Sequence, residues 1–153
     1  MSLKKISVLA LASFVAAGIA AAVVAQDVDP AIATMTPDQL VEARQETMKA
    51  NGGILRNAGS LSGADAVAAA DTLIANFTNL PAMYPEGSIV GDSKALPVIW
   101  EEKNAFDAIF EQAKTHAMEM KAAAEAGDAA AFGAGAQAIG GLCGQCHSKY
   151  RAS

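Results

Sequence analysis

Cys143-Gly144-Gln145-Cys146-His147 stands six residues from the end of a 153-residue chain. Two thiols three apart, followed at once by an imidazole, are what covalent haem c attachment requires: each sulfur adds to one vinyl group and the adjacent histidine reaches the iron. On a helix the three side chains share one face, because positions i, i+3 and i+4 are neighbours on its surface. The motif ends an Ala/Gly-rich segment with no strand-like stretch nearby, so its reading points to an all-α fold. A redox dithiol and a zinc site are the rivals. The first usually sits where a strand meets a helix, and the second would need His116 or a carboxylate as a further ligand, which no spacing marks.

The other end of the chain bears on the choice. Lys4 and Lys5 precede an apolar run over residues 6–24, broken only by Ser7, Ser13 and Gly18, and Val23-Val24-Ala25 before Gln26 resembles a small-residue cleavage site. Residues 1–25 therefore read as a signal peptide, and in a bacterium the exported protein is expected in the periplasm, where haem c is attached. Membrane association is expected only if this segment stays uncleaved.

Cleavage would leave 128 residues, enough for one domain with a single core. Loss of Lys4 and Lys5 takes the formal charge from −5 to −7. Nucleic acid is not an expected partner for such a chain; its acidity suggests redox proteins with a basic docking patch, or a solvated coat that keeps the protein soluble.

Residues 26–35 read as a flexible lead and residues 36–153 as the domain. Thr36-Pro37-Asp38-Gln39 is a capping box with proline at the first helical position, opening a helix to about Asn57. Ser62-Gly63-Ala64-Asp65 repeats the pattern before an Ala-rich second helix, which stops near Leu80 because Pro81 cannot continue it. Residues 81–96, with two prolines and two glycines, read as a loop. A third helix is expected from Pro97 to Ala126, with Ile99, Phe106, Ile109, Phe110, Ala113, Ala117 and Met120 as its buried stripe. Gly127 ends it, and Asp128 caps a fourth that reaches Tyr150 and carries the cysteines. Short links between the first and second and between the third and fourth helices favour an up-down-up-down antiparallel four-helix bundle.

A haem in such a bundle needs a wall opposite His147. Arg44, Met48, Gly52 and Leu55 share a stripe of the first helix with Leu40. Met48 is the candidate sixth ligand, although methionine on a buried stripe is more often packing; Gly52 would leave room for a porphyrin plane. His116 reads as a surface histidine. No carboxylate pair or Ser/His/Asp set stands out, so an enzyme is not expected.

Arg44-Gln45 with Met48 behind it, Leu96-Pro97-Val98-Ile99-Trp100, and Cys143 to His147 followed by Tyr150-Arg151 together resemble the class II c-type cytochromes, the cytochrome c prime family, over nearly all of the chain after the leader. The segments Met48-Lys49-Ala50-Asn51-Gly52 and Ile139-Gly140-Gly141-Leu142-Cys143 look more like its low-spin branch, cytochrome c-556. The resemblance implies one covalent haem c per chain held by Cys143 and Cys146, with His147 and Met48 on the iron. It also implies Arg44 near a propionate, Arg151 beside the proximal imidazole, and Trp100 as an apolar filler at a loop-to-helix corner. The implied function is one-electron transfer with redox partner proteins whose identity the sequence does not give. The alternative is a five-coordinate cytochrome c prime that binds nitric oxide or carbon monoxide. Both monomers and homodimers are compatible with the resemblance.

Overall fold

The structure, a computed structural model, describes residues 27–153; the expected signal peptide lies outside them. α1 (Pro37–Asn57) begins as its sequence dictates: the Thr36 hydroxyl accepts from the Gln39 amide at 3.3 Å, while the Gln39 side chain accepts from the Thr36 amide at 2.9 Å. Two otherwise unpaired amides are thereby satisfied. α2 (Gly63–Asn79) follows after a tight turn at Ala58–Ser60. Ser62 occupies its N-cap in extended conformation, but the hydroxyl accepts no hydrogen bond there, so only half of the expected capping is realised. α2 runs into a 3₁₀ turn, Leu80–Met83, at Pro81.

The expected third helix is two. α3 (Val98–Glu101) is separated from α4 (Lys103–Glu125) by a break at Glu102, where φ is −121° and ψ is 36°. The Glu102 carboxylate turns away from its own helix to the end of α5 (Ala129–Tyr150), where it pairs with Lys149 and accepts from the Tyr150 hydroxyl at 3.1 Å. Between α4 and α5 the chain reverses at Gly127, whose φ of +71° suits glycine, and Asp128 caps α5 by accepting from the Ala131 amide at 2.9 Å.

α4 is the spine of the bundle, packed along its length on α2 and α5. Its stripe is buried as expected: Ile99 on α3 and Phe106, Ile109, Phe110, Ala113, Ala117 and Met120 on α4 join Leu73 and Phe77 of α2 and Phe132 and Ile139 of α5. Each large apolar side chain so buried contributes about 1.5–3 kcal/mol. Where α4 meets α5, Gly135 lets the helices close: a Cβ there would lie 2.5 Å from Met120 Cγ.

α1 approaches α2 and α5 far less closely and is anchored at its ends, largely through the 80–83 turn. The loop after that turn is pinned to the C-terminus. Leu96 donates to the Tyr150 carbonyl at 3.0 Å and Ala152 to the Lys94 carbonyl at 2.8 Å, around an antiparallel bridge between Ala95 and Arg151. The expected lead is ordered where described: Pro30–Thr34 forms a 3₁₀ turn capped by Asp29, the Asp29 amide donates to Asn79 Oδ1 at 2.9 Å, and Ile32 is buried. Burying Ile32 gives these residues a reason to dock. Among the described residues, no helix is long and apolar enough to cross a membrane.

Candidate functional site

Because α1 stands off, a cavity of about 420 Å³ opens between it and α5, within the roughly 300–1,000 Å³ usual for cofactor sites. α1 contributes Arg44, Gln45, Met48 and Lys49, and α5 contributes Cys146, His147 and Tyr150. Ile99, Phe106 and Tyr84 form an apolar and aromatic wall, with Tyr84 edge-on to Phe106 at 5.0 Å between ring centres and Phe106 edge-on to Tyr150 at 5.1 Å. Ser93, Lys94, Ala95 and Arg151, the pinned loop and C-terminus, complete the rim.

Cys143 is half-buried and Cys146 buried, and the two are not disulfide-bonded. Burial raises both thiols, that of Cys146 to about 11. A redox dithiol needs the opposite, a thiolate stabilised by nearby positive charge. Among the described residues, no group of three or more His, Cys, Asp or Glu side chains is placed to hold a metal ion, which leaves a zinc site without a donor set. His147 lies at the mouth. Desolvation of its ring, then the positive charge of Arg151, lower its pKa, which favours the neutral imidazole that can ligate a metal.

Arg44 is almost wholly buried, at 3% exposure. Its Nη1 donates to the Met83 carbonyl at 3.0 Å and to Ser88 Oγ at 3.1 Å, and its Nη2 to the Ser88 carbonyl at 2.8 Å and to Ser93 Oγ at 2.6 Å. The guanidinium also lies 4.5 Å from the centre of the Tyr84 ring. Desolvation lowers its pKa, and every one of these partners is neutral. The cavity lining holds four cations (Arg44, Lys49, Lys94 and Arg151) and no carboxylate. An apolar slot with a thiol and an imidazole on one wall and positive charge without a carboxylate in its lining suits a flat apolar group bearing two carboxylates.

The family model for cytochrome c′ matches residues 38–151. The chain belongs to this family. It is 35% identical over 131 residues to a cytochrome c′ of Rhodospirillum rubrum, covering 84% of this chain and 88% of that protein. It is also 35% identical over 118 residues to a cytochrome c-556 of Agrobacterium tumefaciens, covering 72% and 95%. The crystal structure of cytochrome c′ from Thermochromatium tepidum superposes with a TM-score of 0.68 at 26% identity, over 78% of this chain and 99% of that one. The family's cofactor is covalent haem c, and its fold is the four-helix bundle seen here.

Of the side chains that the sequence singled out, the fold brings Arg44, Met48, Cys146 and His147 to one cavity, with Cys143 packed on the adjoining core. Gly52 is not among the lining residues; the nearest protein atom to a Cβ there would be Arg56 Nη1 of its own helix, at 3.0 Å. His116 is on the outer side of α4, 2.8 Å from Glu119. Trp100 is more than a filler, since its Nε1 donates to the Tyr84 carbonyl at 3.1 Å and fixes the loop that carries Tyr84. Sequence reading missed Tyr84, Ser88, Ser93, Lys94 and Phe106 as site residues. An aromatic inside an otherwise Pro/Gly-marked loop, at Tyr84, was the one available signal.

Proposed function

We propose that this member of the family is a periplasmic one-electron carrier. Cys143 and Cys146 would hold the haem c through thioether bonds, and His147 and Met48 would occupy the two axial positions of its iron. When bound, haem c supplies reversible exchange of one electron between ferric and ferrous iron. The observation that carries the reading is that Met48, on α1, lines the same cavity as His147, on α5. With Met48 and His147 both holding the iron, small molecules would be kept off it, and a thioether would favour the reduced state more than a second imidazole would.

The remaining side chains support this role. Ile99, Phe106 and Tyr84 give the slot an apolar wall, and Arg44, whose Nη protons are taken by Met83, Ser88 and Ser93, would set its positive charge near a propionate. The test is exposure of the reduced protein to carbon monoxide. A carrier with both axial positions filled keeps its spectrum, whereas a spectral shift identifies the five-coordinate, gas-binding alternative.

A further inference from the structure

Asn51 is the odd member of the inward face of α1. Arg44, Met48, Asn51 and Leu55 recur at four, three and four residues and so share one stripe, on which Asn51 is only 3% exposed. Its Oδ1 accepts from Asn76 Nδ2 of α2 at 2.6 Å, which among the described residues is the one side-chain hydrogen bond between α1 and α2. Its Nδ2 has no partner, and among the described residues no other buried side-chain nitrogen or oxygen is left in that state. Turning the amide over changes only which end is stranded, because Asn76 satisfies one end of it.

Native interiors rarely keep such a group, since a buried donor without an acceptor has given up its hydrogen bonds to water for nothing. The stripe itself narrows the choice of acceptor. Leu55 carries no polar atom, Arg44 carries donors alone, and the carbonyls of α1 serve its own helical ladder. Met48 remains. It lies one turn back from Asn51, it lines the cavity whereas Asn51 does not, and its unbranched chain can turn the sulfur to more than one position. A thioether sulfur has two lone pairs, so ligation of iron would use one and leave the other free to accept.

We propose that Asn51 is the positioning residue of the axial thioether: in the haem-loaded protein its Nδ2 donates to the Met48 sulfur, while Asn76 holds the amide so that N–H rather than oxygen is presented. This rests on the electron-carrier reading, in which Met48 ligates the iron. The pair would tie α1, which is otherwise loosely packed on α2, to the rest of the bundle one turn from the residue whose sulfur has to stay in place. Outer partners of this kind commonly fix the orientation of metal ligands.

The test uses the haem-loaded protein. In its reduced, diamagnetic state, nuclear magnetic resonance should show an Overhauser contact between the Asn51 side-chain amide protons and the Met48 ε-methyl. Imidazole titrated into the oxidised protein competes with Met48, and loss of the weak long-wavelength iron–thioether band reads the midpoint. Asn51→Leu, of similar volume and without a donor, should lower that midpoint roughly two- to tenfold, the factor that one hydrogen bond is worth. Asn76→Asp separates positioning from packing. Its carboxylate, ionised at this half-buried position, only accepts, so the Asn51 amide turns over to donate to it; the two helices stay linked while the sulfur faces an oxygen. Its midpoint should fall as well, with the helical circular dichroism of both variants unchanged. A midpoint that stays at the wild-type value in either variant, or a wild type without the Overhauser contact, overturns the positioning role and leaves the carrier reading intact. A wild type without the iron–thioether band overturns the carrier reading and this inference with it.

Discussion

Replacing Arg44 by methionine removes the guanidinium while keeping an unbranched chain of similar reach. The structure sets the magnitude. The Met83 carbonyl, the Ser88 carbonyl and the Ser88 hydroxyl, on a serine only 1% exposed, lose their donor, as does the Ser93 hydroxyl nearer the rim. Leaving a buried acceptor unpaired costs about 1–3 kcal/mol, so the three buried acceptors together could cost roughly 3–9 kcal/mol. Relief from desolvating a charge, visible in the lowered Arg44 pKa, and the packing of the methionine offset part of that. The expected net loss is about 3 kcal/mol, measured by urea denaturation of the haem-loaded protein and followed by circular dichroism. Arg44→Lys should recover only part of it, since an ammonium cannot reproduce the fork that spans Met83, Ser88 and Ser93. Because those acceptors belong to the loop that carries Tyr84, protease cleavage between residues 84 and 94 should accelerate in the methionine variant. A loss below about 1 kcal/mol, with the loop still resistant, would refute the reasoning that Arg44 clamps the loop.

The two N-caps should separate: Thr36→Ala should cost about 1 kcal/mol in the same assay, whereas Ser62→Ala should stay within about 0.5 kcal/mol because its hydroxyl caps nothing. Gly135→Ala should destabilise by about 1–2 kcal/mol, since its Cβ would press 2.5 Å from Met120 Cγ, while Gly133→Ala, into open space, should stabilise by about 0.5–1 kcal/mol. In the protein with both Cys143→Ser and Cys146→Ser, acidified acetone should extract the haem, which it should leave in the wild type.

The bundle was legible because its signals are local. Thr36 and Gln39, Pro81, Gly127 and Asp128 each act within a turn of their own position, and the α4 stripe repeats at helical spacing. The break at Glu102 was not legible; its carboxylate there meets Lys149 and Tyr150, which only the folded chain brings close. Ser62 shows the limit of a motif: a capping pattern of the same kind as at Thr36 places a residue at an N-cap without aiming its hydroxyl. The cysteines and His147 could be read as a unit because one helix face holds them. The cation-lined mouth could not, because positions 44, 49, 94 and 151 are neighbours only through the packing of α1, the loop and the C-terminus. Arg44 itself looks in sequence like any exposed helix charge; its burial depends on Met83, Ser88 and Ser93, some forty residues away.

The central claim is that Met48 and His147, which line one cavity, would both ligate the haem iron. The most direct measurement is the absorption spectrum of the oxidised protein beside that of Met48→Ala. The account predicts a low-spin wild type with the weak long-wavelength band of iron–thioether bonding, and a high-spin variant open to carbon monoxide once reduced. A wild type already high-spin, with a spectrum that Met48→Ala leaves unchanged, would contradict it and reduce Met48 to a packing residue of the cavity.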